Sequence, residues 1–284
     1  MKIAYVILHY KVYSVTKKCI DHILEQVYDD CVIVVIDNCS NNDSYEKLRS
    51  EYKENKKVYL ISVEFNLGFA KANNLGYQIA KHHFNAELIV AMNNDVMITD
   101  TKFSNKLIIM SSEREYDIAG PDIVNKAGEH QNPYVDYIAN EHELEMYIRR
   151  LEIKKLLIPM LYCFKKRHKV KHVRKPFEFS AEYNNVALHG ACIIFGQRFI
   201  NRYEVPFYPD TFLYGEEDIL YFLAKKRKLV TLYYPNLVVY HKEDVSTNSI
   251  KRDRKEKRLF EISHTLNSLK VLRKIMKNEE MLWK

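Results

Sequence analysis

Short apolar runs alternate with amphipathic stretches along the first hundred positions of the chain. The pattern predicts strands over residues 3–8, 32–36, 58–63 and 88–92, and helices over residues 15–26, 44–54 and 68–82. Strands that alternate with helices in this way are typical of βαβ units, in which helices cover both faces of a mostly parallel sheet. This part of the chain therefore predicts an α/β fold built on a single Rossmann-like sheet.

Polar residues follow each of the four predicted strands, at positions 9–10, 37–43, 64–69 and 93–95. The carboxyl ends of parallel strands meet at one edge of a sheet, and open α/β sheets bind their ligands there. We therefore expect these four polar clusters to form one binding site.

The pattern is weaker after residue 100. It predicts helices over residues 102–114, 141–155, 216–227 and 258–276, and strands over residues 119–125, 188–195, 229–234 and 237–240. In the last helix, leucine and isoleucine recur at spacings of three and four. That spacing is typical of a helix that packs in a core or in a homodimer.

Charge is distributed unevenly along these 284 residues, whose net charge is +7. Residues 147–176 contain eleven Lys or Arg and one acid, and residues 251–284 contain eleven against five, so the rest of the chain is acidic. Two basic segments on an acidic body indicate a polyanionic partner. Because the first segment mixes basic residues with an apolar run, it favours an anionic membrane surface. No motif for binding nucleic acid is present, and we expect no nucleic-acid partner.

The spacing of the cysteines and the lengths of the apolar runs indicate the cellular compartment. The five cysteines are far apart and form no C-x-x-C pair, which favours a reducing compartment. No apolar run approaches the ~20 residues that span a bilayer. We therefore expect a cytoplasmic protein that associates peripherally with the inner face of the cell membrane.

Several enzyme classes lack their signatures in this chain. There is no G-x-G-x-x-G after the first predicted strand and no G-x-x-x-x-G-K-[ST], so dinucleotide-dependent dehydrogenases and P-loop enzymes are not indicated. His9 has no serine or cysteine in a nucleophile-elbow context, which leaves hydrolase chemistry without support.

The second polar cluster has the chemistry to bind a nucleotide. The Asp37 carboxylate can accept a hydrogen bond from a base imide, and the polar side chains of Asn38, Ser40 and Asn73 can reach base or ribose hydroxyls. Gly68 permits a close approach between backbone and ligand. The alternative is a polar loop that only caps the following helix.

Two further positions could hold a divalent cation. Asp95 follows the apolar run 88–92, at the carboxyl end of a predicted strand. A carboxylate at such a strand end can bind Mg²⁺ or Mn²⁺ that bridges a diphosphate. His241, also at a predicted strand end, is a candidate second ligand. The alternatives are an Asx turn at Asp95 and a structural role for His241.

Three consecutive acids, Glu216, Glu217 and Asp218, open a predicted helix after an aromatic run. Acids in a first turn complement the helix dipole. The same acids could instead supply a general base that deprotonates an acceptor hydroxyl.

Together these segments resemble the inverting family 2 glycosyltransferases, and in particular the bacterial rhamnosyltransferase-like branch. The matching motifs are V-I-L-H-Y at 6–10, V-V-I-D-N-C-S at 34–40, N-L-G-F-A-K-A-N-N-L-G at 66–76, M-N-N-D-V at 92–96, H-G-A-C-I-I-F at 189–195, F-L-Y-G-E-E-D at 212–218 and Y-H at 240–241. They cover residues 1–245 in the family's order. The metal motif reads N-N-D instead of D-x-D, which leaves Asp95 as its carboxylate.

The resemblance implies a GT-A fold and a role for each matching residue. The nucleotide would be held by a set of polar, aromatic and glycine residues: Tyr10, Asp37, Asn38, Ser40, Asn66, Gly68, Phe69, Asn73 and Asn94. Asp95 and His241 would bind Mn²⁺ or Mg²⁺, Asp218 would be the catalytic base, and Glu217 would lie beside it. The implied reaction is a single in-line displacement that inverts the sugar.

The resemblance also favours a substrate class. The preferred donor is dTDP-rhamnose, with a UDP-hexose as the alternative. The expected acceptor is a glycan linked to undecaprenyl diphosphate, extended during bacterial surface polysaccharide synthesis. The competing function is a non-catalytic sugar-nucleotide-binding or scaffold protein. A nucleotidyltransferase would need a Gly-rich basic loop after the first strand, and residues 9–12 do not form one.

The same resemblance predicts a domain division. Residues 1–245 would form the glycosyltransferase domain. Within it, residues 1–100 would be the nucleotide-binding half and residues 101–245 the acceptor half, which contains a basic insertion at 141–180. Residues 250–284 would form an amphipathic C-terminal helical extension.

Overall fold

The computed structural model describes residues 1–134, 137–138, 140–161, 177–242 and 254–278. Its first third follows the predicted alternation, with strands β1 (Ile3–His9), β2 (Cys31–Asp37), β3 (Val58–Ser62) and β4 (Leu88–Asn93), and helices α1 (Tyr13–Leu24), α2 (Ser44–Tyr52) and α3 (Gly68–Gln78). Helix α3 continues as a π-helical turn, Ile79–His83. Each element lies within a few residues of its predicted bounds.

The remaining elements are shorter and less regular. In chain order they are β5 (Val96–Met97), α4 (Phe103–Glu113), β6 (Ile118–Asn125), α5 (Glu141–Leu161), β7 (Tyr183–Asn184), β8 (Cys192–Phe195), α6 (Gln197–Arg202), α7 (Glu216–Lys226), β9 (Thr231–His241) and α8 (Arg254–Lys277). Strands β5 and β7 and helix α6 were not predicted. They are too short to show a period in the sequence.

All described strands join one mixed sheet in the order β3-β2-β1-β4-β8-β6-β9-β5, with β7 also paired to β9. The pairs β3-β2, β2-β1, β1-β4 and β6-β9 are parallel. Strand β8 runs antiparallel between β4 and β6, and the short strands β5 and β7 run antiparallel to β9. The predicted α/β architecture, a mostly parallel sheet flanked by helices with a C-terminal helix, is confirmed.

Two apolar layers hold helices against the faces of the sheet. Strand β1 shows why both form, since Val6 enters the layer with α3 and α5 to α8, whereas Tyr5 and Ile7 enter the layer with α1, α2 and α4. A strand buried on both faces reads as a continuous apolar run, which is the pattern at residues 3–8.

Two predicted strands differ from the structure. The expected strand over 188–195 begins only at Cys192, because the backbone around Gly190 turns before it joins the sheet. The strands expected over 229–234 and 237–240 are one strand, β9, which continues through Pro235. The register between β6 and β9 shifts between Pro121 and Asp122 and skips the Pro235 position, so the missing Pro235 N–H interrupts no regular ladder.

Helices α5 and α8 pack antiparallel. Lys277 Nζ lies 3.4 Å from Glu141 Oε1, and Lys270 Nζ lies 3.1 Å from Glu152 Oε1, at opposite ends of the contact. Such exposed ion pairs contribute little to stability, about 0–1 kcal/mol each. The apolar stripe of α8 supplies more, because Leu266, Leu269 and Leu272 are buried in the core of this chain.

Half of the basic segment at 147–176 lies in α5, and residues 162–176, with Cys163, lie outside the described residues. Within the described ranges, no helix is both long and apolar enough to cross a membrane.

Candidate functional site

A cleft of about 590 Å³ opens at the carboxyl ends of β1, β2 and β4. Most predicted site residues line it: Tyr10, Asn38, Asn66, Gly68, Phe69, Asn94, Asp95, Glu217 and His241. The four polar clusters therefore converge, as their position after parallel strands predicts. Asp37, Ser40, Asn73 and Asp218 are not among the lining residues.

Asn38 organises one wall of the cleft. Its Nδ2 donates to Asn66 Oδ1 at 3.0 Å and to the Gly68 carbonyl at 3.3 Å, and its Oδ1 accepts from the Leu67 amide at 2.7 Å. Asn66 Oδ1 also accepts from the Gly68 amide at 2.9 Å. These bonds fix the loop before α3, so Asn38 acts first on the protein's own backbone.

Gly68 allows this loop to touch the segment that precedes α7. Its φ is +76°, and a β-carbon there would lie 2.5 Å from the Phe212 carbonyl oxygen. The neighbouring Phe69 amide donates to that same oxygen at 2.6 Å. The position requires glycine both for its backbone conformation and for the close approach.

Asp37 and Ser40 lie behind the cleft wall. Asp37 is 3% exposed and accepts hydrogen bonds from the hydroxyls of Ser40 and Ser62. Ser40 Oγ in turn accepts from the Lys11 amide at 2.8 Å. Asn73 likewise turns back on its own helix, with Nδ2 donating to the Phe69 carbonyl at 3.0 Å. In this structure these three side chains support the loops that form the cleft.

His9 has a structural place. Its Nδ1 lies 2.7 Å from Thr16 Oγ1 and its Nε2 lies 2.9 Å from Ser44 Oγ, with the ring fully buried. Burial lowers the pKa of His9 to about 4, against the opposing effect of the Asp37 charge. The ring is therefore neutral at physiological pH and ties β1 to α1 and α2.

Asp95 and His241 meet inside the cleft. Asp95 Oδ1 lies 3.4 Å from His241 Nε2, and both side chains are buried. The distance follows from the backbone, since Val96 is paired with His241 in the β5-β9 register. His241 Nδ1 lies 2.8 Å from Gln131 Oε1, an acceptor, so Nδ1 donates its proton there and Nε2 is the ring atom that faces the carboxylate.

His189 also lines the cleft, and sequence reasoning assigned it no role. Its Nδ1 accepts a hydrogen bond from the Ala191 amide at 3.1 Å, which leaves the ring proton on Nε2. Burial, together with the neighbouring His241, lowers the pKa of His189 to about 4. The residue is therefore a neutral hydrogen-bond donor. The sequence feature that could have identified His189 is the H-G-A motif at 189–191, just before β8.

The three acids at the start of α7 occupy different environments. Glu216 and Glu217 line the cleft, whereas Asp218 Oδ1 accepts from the Ile138 amide at 3.0 Å. Burial, reinforced by the Glu217 charge, raises the pKa of Glu216 to about 8. Burial also raises the pKa of Glu217. Glu216 therefore holds its proton at neutral pH, and burial shifts both cleft carboxyls in the same direction.

Helix α8 completes the cleft. Phe260 lines it, and the Phe260 ring packs edge-on against His264, with the centroids 4.3 Å apart. The His264 ring stacks on Phe212 at 4.8 Å. The sequence indicated packing and a basic surface for α8 but no place in the cleft, because a single aromatic in a leucine-rich helix carries no site signature.

Comparisons with known proteins agree with this architecture. The model of glycosyl transferase family 2 matches residues 5–175, more than half of the chain. The dTDP-rhamnosyl transferase RfbF of Shigella flexneri is 33% identical over 113 residues, which are 39% of this chain and 36% of that protein. The glycosyltransferase GlyG of Streptococcus pneumoniae is 26% identical over 101 residues, 36% of this chain and 32% of that protein. The chain thus spans about a third of the length of these curated relatives.

Solved structures share the fold at low sequence identity. GalNAc-T7 with UDP, GalNAc and Mn²⁺ has a TM-score of 0.61 at 15% identity, covering 100% of this chain and 55% of that one. S. aureus TarS in complex with UDP has a TM-score of 0.55 at 12% identity, covering 90% and 68%. The mannosyltransferase PcManGT of Pyrobaculum calidifontis with GDP-Man and Mn²⁺ has a TM-score of 0.54 at 11% identity, covering 97% and 75%. The chain has the GT-A fold and belongs to glycosyl transferase family 2.

Proposed function

We propose that the protein is an inverting glycosyltransferase that moves a sugar from a nucleotide-sugar donor to an acceptor hydroxyl. The observation that carries the proposal is the content of one cleft. It holds the loop fixed by Asn38, the facing pair Asp95 and His241, and the carboxyl group of Glu217. A nucleotide subsite, a cation subsite and a base within one cavity are what a sugar transfer requires.

Glu217 is the better candidate for the base. Its carboxyl group lines the cleft, and burial raises its pKa towards the range in which a base is effective. Asp218, the base expected from the sequence, accepts a hydrogen bond from the Ile138 amide outside the cleft lining. Asp218 then positions the first turn of α7, and Glu217 accepts the proton.

The proposed reaction has one chemical step. Glu217 removes the proton of the acceptor hydroxyl, and the acceptor oxygen attacks the anomeric carbon of the donor sugar. The bond between that carbon and the nucleoside diphosphate breaks at the same time. Because attack comes from the face opposite the leaving group, the configuration at the anomeric carbon inverts. His189 Nε2–H is a neutral donor within the same cleft that can bond the departing oxygens.

The cation subsite fits Mn²⁺ or Mg²⁺ in its donor atoms. Asp95 offers a hard carboxylate oxygen, and the tautomer set by Gln131 leaves the His241 Nε2 lone pair free to coordinate. When bound, the cation would neutralise charge on the departing diphosphate. No group of three or more His, Cys, Asp or Glu side chains suited to a metal occurs among the described residues. The donor diphosphate would therefore have to supply ligands, which makes cation binding depend on the nucleotide.

For the donor we favour dTDP-rhamnose, with a UDP-hexose as the alternative. Support for rhamnose comes from the similarity to RfbF, which is named a dTDP-rhamnosyl transferase. Support for a UDP-sugar comes from the shared fold of TarS, whose structure was solved with UDP.

For the acceptor we propose a glycan linked to undecaprenyl diphosphate, reached at the inner face of the cell membrane. Helix α5 supports this, because its apolar residues Met146, Ile153 and Leu156 are 49%, 58% and 76% exposed. Exposed Arg149, Arg150, Lys154 and Lys155 lie among them. An exposed helical face that mixes apolar and basic residues suits an anionic lipid surface, at about 1 kcal/mol per basic residue.

A two-stage experiment tests the proposal. The purified protein is first screened for thermal stabilisation by dTDP-rhamnose, UDP-glucose and UDP-galactose with Mn²⁺, since a ligand that binds only the folded state raises Tm. Release of nucleoside diphosphate from the stabilising donor is then measured without acceptor. Slow, Mn²⁺-dependent release supports a transferase. Tight binding without release would support the non-catalytic sugar-nucleotide-binding protein instead.

A further inference from the structure

A second cavity, of about 280 Å³, lies along the same helix as the candidate base. Its lining comes from the segment before α5 and from the later turns of α7: Tyr137, Ile138, Tyr221, Phe222, Lys225 and Lys226. The first turn of α7 faces the main cleft, and the later turns face this cavity. One helix therefore borders both.

The spacing along α7 places residues of both cavities on one side of the helix. Glu217, Tyr221 and Lys225 follow one another at intervals of four, so they lie in one row on the helix surface. Lys225 lies eight positions after Glu217, which is about 12 Å along the helix axis. The hydrogen bond from the Ile138 amide to Asp218 Oδ1 fixes the far wall of the cavity to the turn that carries Glu217.

The lining combines aromatic faces with ammonium groups. The rings of Tyr137 and Tyr221 meet edge-to-face with their centroids 4.8 Å apart. Lys225 Nζ lies 5.6 Å from the centre of the Tyr221 ring, and Lys226 Nζ lies 5.9 Å from that of Phe222. Both lysines therefore line the cavity beside its aromatic rings.

The charge around the cavity favours an anion. Residues 225–228 are four consecutive exposed basic residues at the end of α7. Basic residues there also complement the helix dipole, but that effect needs no cavity and no aromatic lining. A rigid aromatic wall beside two ammonium groups suits a ligand with a sugar face and a phosphate, since lysine binds phosphate as a point charge.

We propose that this second cavity binds the phosphate group of the acceptor, so that the acceptor is a sugar 1-diphosphate whose reacting hydroxyl lies at Glu217. The inference rests on the proposed transferase function and specifies its acceptor. A monosaccharide with its anomeric diphosphate is long enough to join Glu217 to the ammonium groups of Lys225 and Lys226. The acceptor is thus recognised by its diphosphate as well as by its sugar.

The test compares two acceptors in two double variants. The acceptors are a hexose joined to a short alkyl chain through a diphosphate, and the same hexose as a simple alkyl glycoside. Variant K225Q/K226Q removes two cations that line the cavity. Variant R227Q/K228Q removes two from the same basic run outside the lining. For each variant the ratio of kcat/KM for the diphosphate acceptor to that for the glycoside is measured.

We expect the wild-type enzyme to prefer the diphosphate acceptor, and K225Q/K226Q to lower the ratio at least about tenfold, mainly through KM. R227Q/K228Q should keep the ratio near the wild-type value. Equal losses in both variants would mean unspecific attraction of anions and would overturn the proposal. So would an unchanged ratio in K225Q/K226Q, or a wild-type enzyme without preference.

A binding measurement separates this inference from the transferase proposal. Binding of the alkyl diphosphate hexose is followed by calorimetry with the donor site filled by the nucleoside diphosphate of the stabilising donor, dTDP or UDP. Weaker binding in K225Q/K226Q alone supports the second cavity even if no donor is turned over, in which case only the transferase proposal fails. If inorganic pyrophosphate competes as well as the sugar diphosphate, the cavity is a general anion site and the acceptor assignment is wrong.

Discussion

Asp95 Oδ1 and His241 Nε2 face each other across 3.4 Å in the cleft, with the other ring nitrogen of His241 bonded to Gln131. Because Gln131 Oε1 accepts the Nδ1 proton, both facing atoms present lone pairs. Two such atoms repel unless a proton or a cation lies between them. The pair is therefore arranged for a positive charge.

The first prediction concerns this pair. Asp95→Asn should weaken Mn²⁺ binding at least about tenfold in the presence of the donor's nucleoside diphosphate, dTDP or UDP, because it removes the charged ligand. His241→Gln should weaken it less. Mn²⁺ affinity is measured by electron paramagnetic resonance or calorimetry.

A matched control for Asp95→Asn exists elsewhere in the fold. Asp122 Oδ1 lies 2.8 Å from His130 Nδ1, another Asp–His pair, outside the cleft lining. Asp122→Asn should leave Mn²⁺ affinity unchanged. If Asp95→Asn binds Mn²⁺ as tightly as the wild-type protein, Asp95 is only a hydrogen-bonding residue.

The second prediction concerns the base. Glu217→Gln should lower kcat at least about 10²-fold with little change in Tm or donor affinity, the scale of a lost general base. Because burial raises the pKa of Glu217, wild-type kcat/KM should rise with pH through a value above that of an ordinary glutamate. Asp218→Asn keeps an oxygen acceptor for the Ile138 amide and should reduce turnover much less. A larger loss in Asp218→Asn at unchanged Tm would restore Asp218 as the base.

The third prediction concerns stability and pH. The pKa of Glu216 is about 8 in the folded chain and lies near 4.5 when the group is exposed. Between these values the folded state binds a proton that the unfolded state has lost, so Glu216 lowers stability as pH rises through this window. Glu216→Gln is neutral throughout, and its Tm relative to wild type should increase by several degrees from about pH 5 to about pH 8. The exposed Glu54→Gln should show no such trend, and an equal trend in both would refute the assignment.

The fourth prediction uses two glycines with nearly the same backbone conformation. Gly68 and Gly128 have φ of +76° and +75°, but a β-carbon at Gly68 would meet the Phe212 carbonyl whereas one at Gly128 would meet nothing within 4 Å. Gly128→Ala should cost about 1 kcal/mol for its positive φ. Gly68→Ala should cost clearly more and also weaken donor binding. Urea unfolding measures both, and equal costs would show that the close approach at Gly68 is not tight.

Periodicity predicted the parallel half of the fold because β1, β2 and β4 are buried on both faces and read as apolar runs. It could not predict β5 or β7, each of two residues, whose pairing with β9 depends on partners distant in sequence. Residues 188–191 also misled it, since Leu188 and Ala191 are buried although this segment contains a turn and no strand. Burial alone does not distinguish the two.

Part of the candidate site could also be predicted from the apolar runs, because these locate the carboxyl ends of the strands. Strand ends predicted that Tyr10, Asn38 and Asp95 would meet. Which side chain of a polar loop faces the cleft depends on local hydrogen bonding. The sequence therefore could not predict that Asp37 turns inward and bonds Ser40 and Ser62. Glu217 and Asp218 are adjacent in sequence, and the structure distinguishes them by the cleft lining, which includes Glu217, and by the contact of Asp218 with Ile138.

Phe260 of α8 forms part of the outer wall of the cleft. This helix lies after residues 5–175, the stretch that the family model matches. The loop before α3 is fixed by Asn38 and Asn66, and it contacts Phe212, whose ring stacks on His264 of that helix. The loop and the outer wall of the cleft thus come from distant parts of the sequence. Under the proposed function, exchange of α8, together with the α5 residues that pair with it, would alter the outer wall while Asn38 and Asn66 keep the loop before α3 in place.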